Sequence, residues 1–475
     1  MKKIALILAL ILMLTPVLVA CEDAKPPVDT GSGSSSSDHD PELLYSLDDL
    51  PEMDFGKKDF TSFGGKNTAG YSAYLVEAET GDLFVDSVYQ RKILIEDRYN
   101  VNLKSQNYSE TDHSGAVRNY ILADDKTFQI YSGKMQAPFY NMMMEGYFVD
   151  WNELEAVDPS KPYWNQSVVN NMNFGGKIYC MAGDISISTY NFTNSIMFNK
   201  NLFDDLGIDY PYEDVYNKTW TIDKMIEISK QGYADLDGNT EWDPQADRLG
   251  FSGWAYEMNL AVYMGMGGQT LINNEDNMPE LAINSDKTVK IIDKMIELFD
   301  GVNAYSEAGT YGIFNTAFDE GRLLMLDGWI THLQGNRSRD FDAGILPYPM
   351  LDEEQENYVC RGAVNCSGAY WVPTTNTQLT ETGILLEAMS IEGYNRIRPV
   401  YYDVQLDLKS APDTETRDMV DIIMETSSYV NENFITSISF NSFIDKQFNS
   451  FASWYANNER PWRTQIKKLT RFYES

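Results

Sequence analysis

The stretch Ser195-Ile-Met-Phe-Asn-Lys200 places a short apolar run of strand-forming residues directly before polar ones. A second run of this kind, Arg322-Leu-Leu-Met-Leu326, is followed by Asp327 and Gly328. Both patterns are typical of a buried strand that ends at the surface edge of a sheet. Ligands of open α/β sheets tend to bind at the carboxyl ends of strands, so both ends are candidate positions for a binding site.

Helical periodicity alternates with these strand-like runs along the chain. Residues 287–299 carry apolar side chains at helical spacing, after Asn284 and Ser285, which can cap the helix. Thr221 can cap a second helix, and Asp223 lies in its first turn, where the helix dipole favours a negative charge. The alternation of strands and helices predicts an α/β fold.

The N-terminus has the features of a lipoprotein signal peptide over residues 1–20. Lys2 and Lys3 precede an apolar run that is too short to span a bilayer as a permanent helix. Leu18-Val-Ala-Cys21 resembles the bacterial lipobox, which implies that Cys21 becomes the lipid-modified N-terminus. Because two or more acyl chains anchor a protein durably, we expect it to be lipid-anchored to the cell membrane on the extracytoplasmic side. The alternative is an ordinary cleaved signal that releases a soluble protein.

Residues 21–60 are predicted to form a lipidated, flexible tether. Gly31–Ser37 is a glycine- and serine-rich stretch in a polar, proline-containing neighbourhood that cannot build an apolar core. Such a tether holds a folded domain off the membrane and leaves it free to reorient.

The net charge of the chain disfavours nucleic acid as a partner. Lys and Arg number 37 and Asp and Glu 71, a formal net charge of −34. Without residues 1–20, which contain two lysines and no acid, the balance is 35 − 71 = −36. Nucleic acid is therefore disfavoured as a partner, because a polyanion needs a basic footprint. The more than 400 remaining residues suit two domains or one bilobal fold, and no second long apolar segment appears.

Cysteine spacing leaves one disulfide open and disfavours zinc. Cys360 and Cys366 are close in sequence, but an extended chain would hold their sulfurs about 20 Å apart, so Gly362 would have to turn the chain. The alternative is two free thiols. No Cys-x-x-Cys or His-x-x-x-His spacing occurs, and such spacings are typical of zinc sites.

Several stretches, in their order and spacing, resemble bacterial extracellular solute-binding proteins, the capture subunits of ABC importers. Those similar to the carbohydrate-binding branch (family 1 type) are Gly81-Asp82, Val88–Arg91, Ile95–Tyr99, Val149–Asn152, Pro162–Trp164, Gly183-Asp184, Ile196–Lys200, Leu202–Gly207, Lys218–Asp223, Phe318–Arg322 and Gly344–Pro347. The resemblance covers nearly everything from about residue 70 to the end.

The resemblance implies a two-lobed periplasmic-binding-protein fold of type II, in which each lobe is a mixed sheet flanked by helices. The implied lobes and hinge crossovers are lobe 1 at 66–185 plus 327–365, lobe 2 at 196–322 plus 372–475, and hinges near Ser186–Ser195, Leu323–Leu326 and Ser367–Val372. It further implies a monomer that traps its ligand between the lobes, delivers it to ABC importer permease subunits and requires no cofactor.

A sugar ligand would need aromatic plates for its apolar faces and hydrogen-bonding groups for its hydroxyls. Three tryptophans at predicted strand ends or crossovers are candidate plates: Trp254, Trp329 and Trp371. Four residues are polar candidates: Asp184, Tyr190, Asp327 and Tyr131. Core packing is the alternative for each aromatic residue.

The acidic loop Asp235-Leu-Asp-Gly-Asn-Thr-Glu-Trp-Asp243 is a candidate site for structural calcium. A twelve-residue EF-hand loop that starts at Asp235 would need Gly and Glu where Thr240 and Ala246 stand. Calcium tolerates irregular oxygen ligands, so Asp235, Asp237, Asn239 and Asp243 remain candidates. The alternative is a solvated acidic loop.

Capture for import competes with two other functions. A carbohydrate-active enzyme could use paired carboxylates about 5 to 10 Å apart, but sequence spacing identifies no such pair. Nucleophilic catalysis is poorly supported, because no Gly-x-Ser-x-Gly elbow is present. A ligand-presenting sensor or scaffold is the third interpretation. We therefore expect a binding protein without catalytic residues.

Overall fold

The computed structural model describes residues 44–65, 74–108, 113–135, 137–186, 188–241, 243, 245–301, 304–305, 312–363, 368–406, 414–429, 440 and 450–474. Leu43–Ser475 forms one compact unit. The predictions for the signal peptide, for Cys21 and for tether residues 21–43 fall outside the described residues, as does Cys366. Residues 44–60 were also predicted as flexible tether, but they are folded: Leu47, Phe55 and Phe60 are buried, and a strand begins at Lys58. Cys360 is a buried free thiol. Within the described part of the chain, no helix is both long enough and apolar enough to cross a membrane.

The regular elements are as follows. The strands are β1 Lys58–Gly65, β2 Val101–Tyr108, β3 Ile130–Lys134, β4 Asn173–Phe174, β5 Lys177–Ile178, β6 Asn194–Asn199, β7 Leu249–Ser252, β8 Leu271–Asn273, β9 Pro279–Leu281, β10 Ala304–Tyr305, β11 Leu323–Trp329, β12 Ala343–Leu346, β13 Cys360–Arg361, β14 Gly368–Trp371 and β15 Ser427–Ser428. The α-helices are α1 Leu83–Tyr99, α2 His113–Leu122, α3 Ala137–Met144, α4 Gln166–Asn171, α5 Ser188–Asn191, α6 Lys200–Leu206, α7 Tyr212–Tyr216, α8 Ile222–Gly232, α9 Ala255–Gly265, α10 Asp286–Leu298, α11 Ile313–Asp319, α12 Leu379–Glu392, α13 Arg398–Val400, α14 Glu415–Glu425 and α15 Phe451–Glu474. Short 3₁₀ turns span Leu47–Asp49, Trp151–Glu153 and Ile330–Arg337, and π-helical turns span Gly393–Ile397 and Tyr401–Gln405.

The first sheet has the strand order β14-β3-β1-β2. β1 is parallel to β2 and β3, and β14 is antiparallel to β3. Helix α1 joins the parallel strands β1 and β2, as a crossover connection must. The Asp82 carboxylate caps this helix by accepting from the N–H groups of Phe84 and Val85. Side chains of α1 and α12 share one apolar cluster with the sheet.

The second sheet has the order β10-β7-β11-β6-β12. β7, β10 and β11 are mutually parallel, whereas β6 is antiparallel to β11 and to β12. The two apolar runs that predicted strands lie side by side here, with Phe198 opposite Met325. The predicted helices are α10 and α8. Ser285 caps α10 as expected, while Thr221 stands at the N-cap of α8 without a side-chain hydrogen bond.

Helix α15 packs against both halves of the molecule. Trp454 and Trp462 belong to the apolar cluster of the second sheet. Leu469, one to two turns further on, belongs to a cluster built from the first sheet, and Tyr473 packs against that cluster. The helix contains Pro461, one residue before Trp462. This single helix therefore contributes to the cores of both lobes.

The two helix-flanked sheets agree with the predicted two-lobed α/β architecture, but strand pairing corrects parts of the predicted bounds. β12 was assigned to lobe 1 within 327–365, yet it pairs with β6 in the second sheet. Helix α12 was assigned to lobe 2 within 372–475, yet it packs on the first sheet. Leu323–Leu326, predicted as a hinge, form the buried centre of the second sheet. The other bounds stay predictions.

Two segments carry the chain between the sheets. Residues 179–193 lead to β6, and residues 347–367 lead from β12 to β14. Thr193 and Gly362 form an antiparallel bridge, and Ala363 N donates to the Phe192 carbonyl at 2.8 Å. The two crossing segments are therefore joined to each other next to β6.

Candidate functional site

The candidate site is a pocket at the carboxyl edge of the second sheet. The pocket holds about 20 Å³ of space for the centre of a water-sized sphere, and about 360 Å³ when the open solvent at its mouth is included. The residues that line it are Gly253, Trp254, Glu257, Gly312, Phe314, Asn315, Asp327, Gly328, Trp329 and His332. No lysine or arginine is among these described lining residues.

Parallel strand pairing brings two of the predicted tryptophans together. β7 and β11 are parallel, and Leu326 lies opposite Ser252. Trp254 follows Ser252 by two residues, and Trp329 follows Leu326 by three, so both indoles reach the same edge of the sheet. Both side chains are partly exposed. Trp254 and Trp329 therefore line one pocket, and their role as ligand contacts stays a prediction.

The predicted strand that ends at Asn199, which is β6, points the other way. Because β6 runs antiparallel to β11, its carboxyl end at Asn199-Lys200 lies at the opposite edge of the sheet. Its amino end, Asn194, lies opposite Trp329 and beside the pocket. The expectation of a binding edge after Phe198 was wrong, because a local apolar run does not reveal strand direction.

Trp254 is held by its position between a strand and a helix. It is the N-cap residue of α9 and its ring lies 5.4 Å from that of Tyr256. The preceding Gly253 packs directly on Asp327, since a Cβ atom at Gly253 would lie 2.4 Å from the Asp327 Cβ. A side chain at residue 253 would therefore displace one wall of the pocket.

Trp329 is held by Phe192 and His332. The Phe192 ring meets the indole edge-to-face, with centroids 5.0 Å apart. The His332 Nδ1 atom accepts the Trp329 backbone N–H at 3.3 Å. Burial, with a contribution from the charge of Arg339, lowers the pKa of His332 to about 4, so the ring is neutral at pH 7. With Nδ1 as acceptor, the proton resides on Nε2.

Asp327 is a buried carboxyl that lines the same pocket as the two indoles, and it is called the pocket floor below. It accepts hydrogen bonds from the Tyr348 hydroxyl and, at 3.2 Å, from Asn194 Nδ2. Burial raises the pKa of Asp327 to about 7, because the two hydrogen bonds offset only part of the desolvation of a carboxylate. This carboxyl is therefore partly protonated at neutral pH and can act as donor or acceptor.

A buried ion pair lies behind this floor. Glu257, three residues after Trp254, accepts from Arg361 Nη1, and both side chains are buried. Arg361 Nη1 also lies 3.2 Å from Asn194 Oδ1. Arg361 comes from the crossing segment 347–367, so the pocket of the second sheet is braced by a residue of the connection between the sheets.

The pH dependence of stability provides a test of the Asp327 environment. A carboxyl whose pKa is higher in the folded than in the unfolded state stabilises the fold most at low pH and loses this contribution as pH rises. For Asp327 the window lies between 3.8 and about 7. We expect Asp327→Asn to flatten the decline of the thermal midpoint over this range, measured by calorimetry. Asp293→Asn, an exposed change in α10, serves as the control; an equal slope in both variants would contradict the buried environment.

Trp371 and Tyr131 are corrected from ligand contacts to core residues. Trp371 is fully buried in β14 against Phe139 and Phe148, with ring centroids 5.3 and 4.9 Å away. Tyr131 is fully buried in β3 beside Phe63. β3 lies inside the first sheet and β14 is one of its edge strands, and in both strands alternate side chains point into the core.

Asp184 and Tyr190 lie together, but away from the pocket. The Tyr190 hydroxyl donates to Asp184 Oδ2 at 3.1 Å, and Arg398 Nη1 lies 3.8 Å from the same oxygen. Burial raises the pKa of Asp184 to about 6 despite these partners. Arg91, fully buried, donates to the carbonyls of Asp184 and Ile185. These residues secure the first crossing segment and do not line the pocket.

Side chains of the predicted calcium loop accept hydrogen bonds from the backbone of the same loop. Asp235 accepts from the N–H groups of Gly238 and Thr240 at 2.7 and 3.0 Å, and the latter bond is the main reason that its pKa is lowered. Asn239 and Asp243 accept from Glu241 N and Gln245 N. Carboxylate oxygens of Asp235, Asp237 and Asp247 lie within 4.8 Å of one another. The carboxylates brought together are thus two of the predicted ligands and Asp247, which the sequence did not single out.

A wider groove elsewhere is less suited to a sugar. It is lined largely by amide side chains, among them Asn171, Asn273 and Gln355, and by no aromatic ring of the described residues. Asn273 Nδ2 donates to Asn170 O, and Gln355 Nε2 donates to Gly265 O. Part of this amide set therefore holds neighbouring segments together.

Sequence reasoning missed several residues of the pocket. Glu257 and His332 follow the two tryptophans by three residues, a spacing that places them one turn away, so this signal was available. Phe192, Asn194 and Arg361 reach the site only through strand pairing and the crossing segments, and no local pattern marks them.

Comparison by sequence finds no matching family model and no significantly similar curated protein. Comparison by structure finds many similar chains. A cyclic α-maltosyl-1,6-maltose binding protein from Arthrobacter globiformis aligns with TM-score 0.57 and 14% identity, over 88% of this chain and 99% of that one. An ABC substrate-binding protein from Listeria monocytogenes in complex with cycloalternan aligns with TM-score 0.54 and 16% identity, over 87% and 98%. The GacH receptor of Streptomyces glaucescens aligns with TM-score 0.54 and 12% identity, over 88% and 99%. The chain thus has the two-lobed periplasmic-binding-protein fold.

Proposed function

We propose that this chain is the substrate-binding lipoprotein of an ABC importer and captures a sugar or oligosaccharide in its interlobe cleft. The observation that carries the proposal is the pair Trp254 and Trp329, which emerge at one strand edge around the buried Asp327. Indole faces stack on the apolar faces of sugars, and carboxyl groups bond their hydroxyls. Structural neighbours in complex with cycloalternan and acarbose support this class of ligand.

The chemistry of the pocket supports capture more than turnover. Its two carboxyls, Asp327 and Glu257, are both engaged, the first by Tyr348 and Asn194 and the second by Arg361. A glycosidase needs one carboxyl free to protonate a leaving group and another free to attack or to activate water. Glu257 is held in a buried ion pair and Asp327 is hydrogen-bonded through Oδ1, so the pocket does not present two free carboxyls.

A panel of labelled oligosaccharides distinguishes the proposed classes of function. The purified protein is incubated with each sugar, and native mass spectrometry records the bound mass and any product. Retention of an intact sugar is the expected result. Products that accumulate with time would support the carbohydrate-active enzyme, and a panel without any retained sugar would contradict carbohydrate capture.

Replacing Trp329 by alanine is expected to weaken sugar binding about ten- to a hundredfold, because one stacking plate is lost. The indole is partly exposed and packs on Phe192 and His332, so the fold should survive with a modest fall in midpoint. Calorimetric affinity and thermal midpoint are measured together for the parent and the variant. Unchanged affinity in a folded variant would refute stacking, and a midpoint loss typical of a core tryptophan would assign Trp329 to the core.

We propose that the chain is attached to the extracytoplasmic face of the membrane through Cys21. The supporting feature is the lipobox-like Leu18-Val-Ala-Cys21 after a short apolar run. Metabolic labelling with a radioactive fatty acid tests this proposal. Label is expected on the natural chain and not on Cys21→Ala, and an unlabelled, freely released natural chain would contradict the anchor.

We propose structural calcium at the loop that contains Asp235, Asp237 and Asp247. A ligand that binds only the folded state stabilises it by about 2.7 kcal/mol at a hundred times its Kd, so millimolar calcium is expected to raise the thermal midpoint relative to chelator. Asp237→Asn removes one carboxylate and is expected to reduce the shift, whereas Asp293→Asn should leave it unchanged. Identical midpoints with calcium and chelator would contradict the proposal.

A further inference from the structure

The exposed side of α15 carries an unusual concentration of positive charge. Arg460, Arg463, Lys467 and Arg471 follow one another at three- and four-residue spacing, which places them on one face of the helix, and Lys468 flanks them. All five side chains are exposed, and no acidic residue occurs between 460 and 471. These five residues are called the cationic face below.

The cationic face points to solvent, because the opposite side of α15 is buried against the protein. Phe451, Trp454 and Trp462 are buried against the second sheet, and Leu469 is buried against the first. At the far end, the Tyr473 hydroxyl donates to Met143 Sδ at 3.6 Å. The helix is thus fixed on both lobes with its charges directed at solvent.

The charges of the cationic face are largely uncompensated. Arg463 pairs with Glu459 at 2.7 Å, whereas Arg460, Lys467, Lys468 and Arg471 form no ion pair with any described residue. A helix dipole favours basic residues in the last turn, which accounts for Arg471 but not for Arg460 and Arg463 near the middle. In a chain with 71 acidic against 37 basic residues, such a cluster indicates an anionic partner.

We propose that the cationic face docks on an anionic phospholipid surface, namely the membrane to which the protein is anchored in the proposed function. Anionic lipid attracts each nearby Lys or Arg by about fivefold in affinity. Residues 22–42 are the part of the predicted tether 21–60 that precedes the folded unit Leu43–Ser475, and a flexible chain of that length spans about 25 Å on average. The anchored domain therefore stays within reach of the bilayer, and a weak, purely electrostatic contact is enough to orient it.

Docking through α15 places both lobes beside the membrane. Because the apolar face of the helix packs on both apolar clusters, a bilayer that holds the cationic face lies next to the first and second lobes alike. The contact is electrostatic and involves no insertion, since the apolar face of α15 is already buried in the protein. It is therefore expected to weaken as salt screens the charges.

Vesicle co-sedimentation of the chain 22–475, which lacks Cys21 but retains the whole unit Leu43–Ser475, tests the proposal. Vesicles of equal parts phosphatidylglycerol and phosphatidylcholine are compared with pure phosphatidylcholine at low and physiological ionic strength. Binding is expected only to the anionic vesicles and is expected to weaken with salt. K467Q/K468Q/R471Q is expected to lower this binding by roughly a hundredfold. The matched control K57Q/K104Q/K126Q neutralises three exposed lysines of the first lobe and is expected to bind like the parent.

Three results would overturn the proposal: no preference for anionic vesicles, equal binding by the two triple variants, or self-association of the chain at low ionic strength in place of vesicle binding. Self-association, measured by sedimentation velocity, would assign the cationic face to the acidic surface of a second copy. Sugar binding is measured without vesicles, so failure of membrane docking and failure of sugar capture are separate results.

Discussion

Replacing Arg361 by methionine is expected to lower the free energy of unfolding by about 3–5 kcal/mol. Arg361 is fully buried and pairs with the buried Glu257 behind the pocket floor. Its loss leaves one carboxylate without a counterion in the interior, next to the carboxyl of Asp327. Chemical denaturation with urea, compared with the parent, measures this loss.

The double variant Arg361→Met/Glu257→Met separates the pair from its individual charges. Replacing both members of a buried pair by apolar residues is often close to neutral, because no charge remains unpaired. We expect the double variant to recover most of the stability lost in the single one. A double variant less stable than Arg361→Met would show that the penalty does not come from an unpaired charge.

Leu469→Ala in α15 is expected to lower the free energy of unfolding by about 2–5 kcal/mol. Leu469 is fully buried in the apolar cluster of the first sheet, so its removal leaves a cavity in that cluster. Lys468→Ala, the neighbouring exposed residue, is expected to change stability by less than about 0.5 kcal/mol. Equal midpoints for Leu469→Ala and Lys468→Ala would show that the end of α15 is not part of the core.

Arg361 and Leu469 belong to different links between the lobes. Arg361 belongs to a crossing segment and reaches the pocket wall, whereas α15 joins the apolar clusters of both sheets. Any relative movement of the lobes has to preserve or exchange both sets of contacts. Pro461 removes one backbone donor within α15, so a bend in the helix is most readily accommodated there.

Local sequence patterns predicted the elements better than their arrangement. The apolar runs before Asn199 and Asp327 are the central strands β6 and β11, and the helical stripes are α8 and α10. Strand direction was not visible in these runs, so one of the two expected binding edges was wrong. Strand partners depend on contacts distant in sequence. For this reason β12 and α12 belong to the lobes opposite to those predicted for them.

The same contrast between local patterns and their arrangement holds for the candidate site. Trp254, Trp329 and Asp327 were predicted as ligand contacts because each follows a recognisable apolar run, and the structure places all three in one pocket lining. Trp371 and Tyr131 also belong to strands of an α/β sheet, but they point into its core, and an aromatic residue alone does not distinguish the two orientations. Arg361 and Phe192 depend on the two crossing segments meeting, which only the folded chain reveals.

The most direct test of sugar capture is a calorimetric titration of the parent and of Trp254→Ala/Trp329→Ala with an oligosaccharide that the parent retains intact. Both indoles are partly exposed at the pocket, so the double variant is expected to remain folded. The account predicts saturable binding to the parent and none detectable in the folded double variant at the same concentrations. Undiminished binding in that variant would contradict the assignment of this pocket as the site of capture.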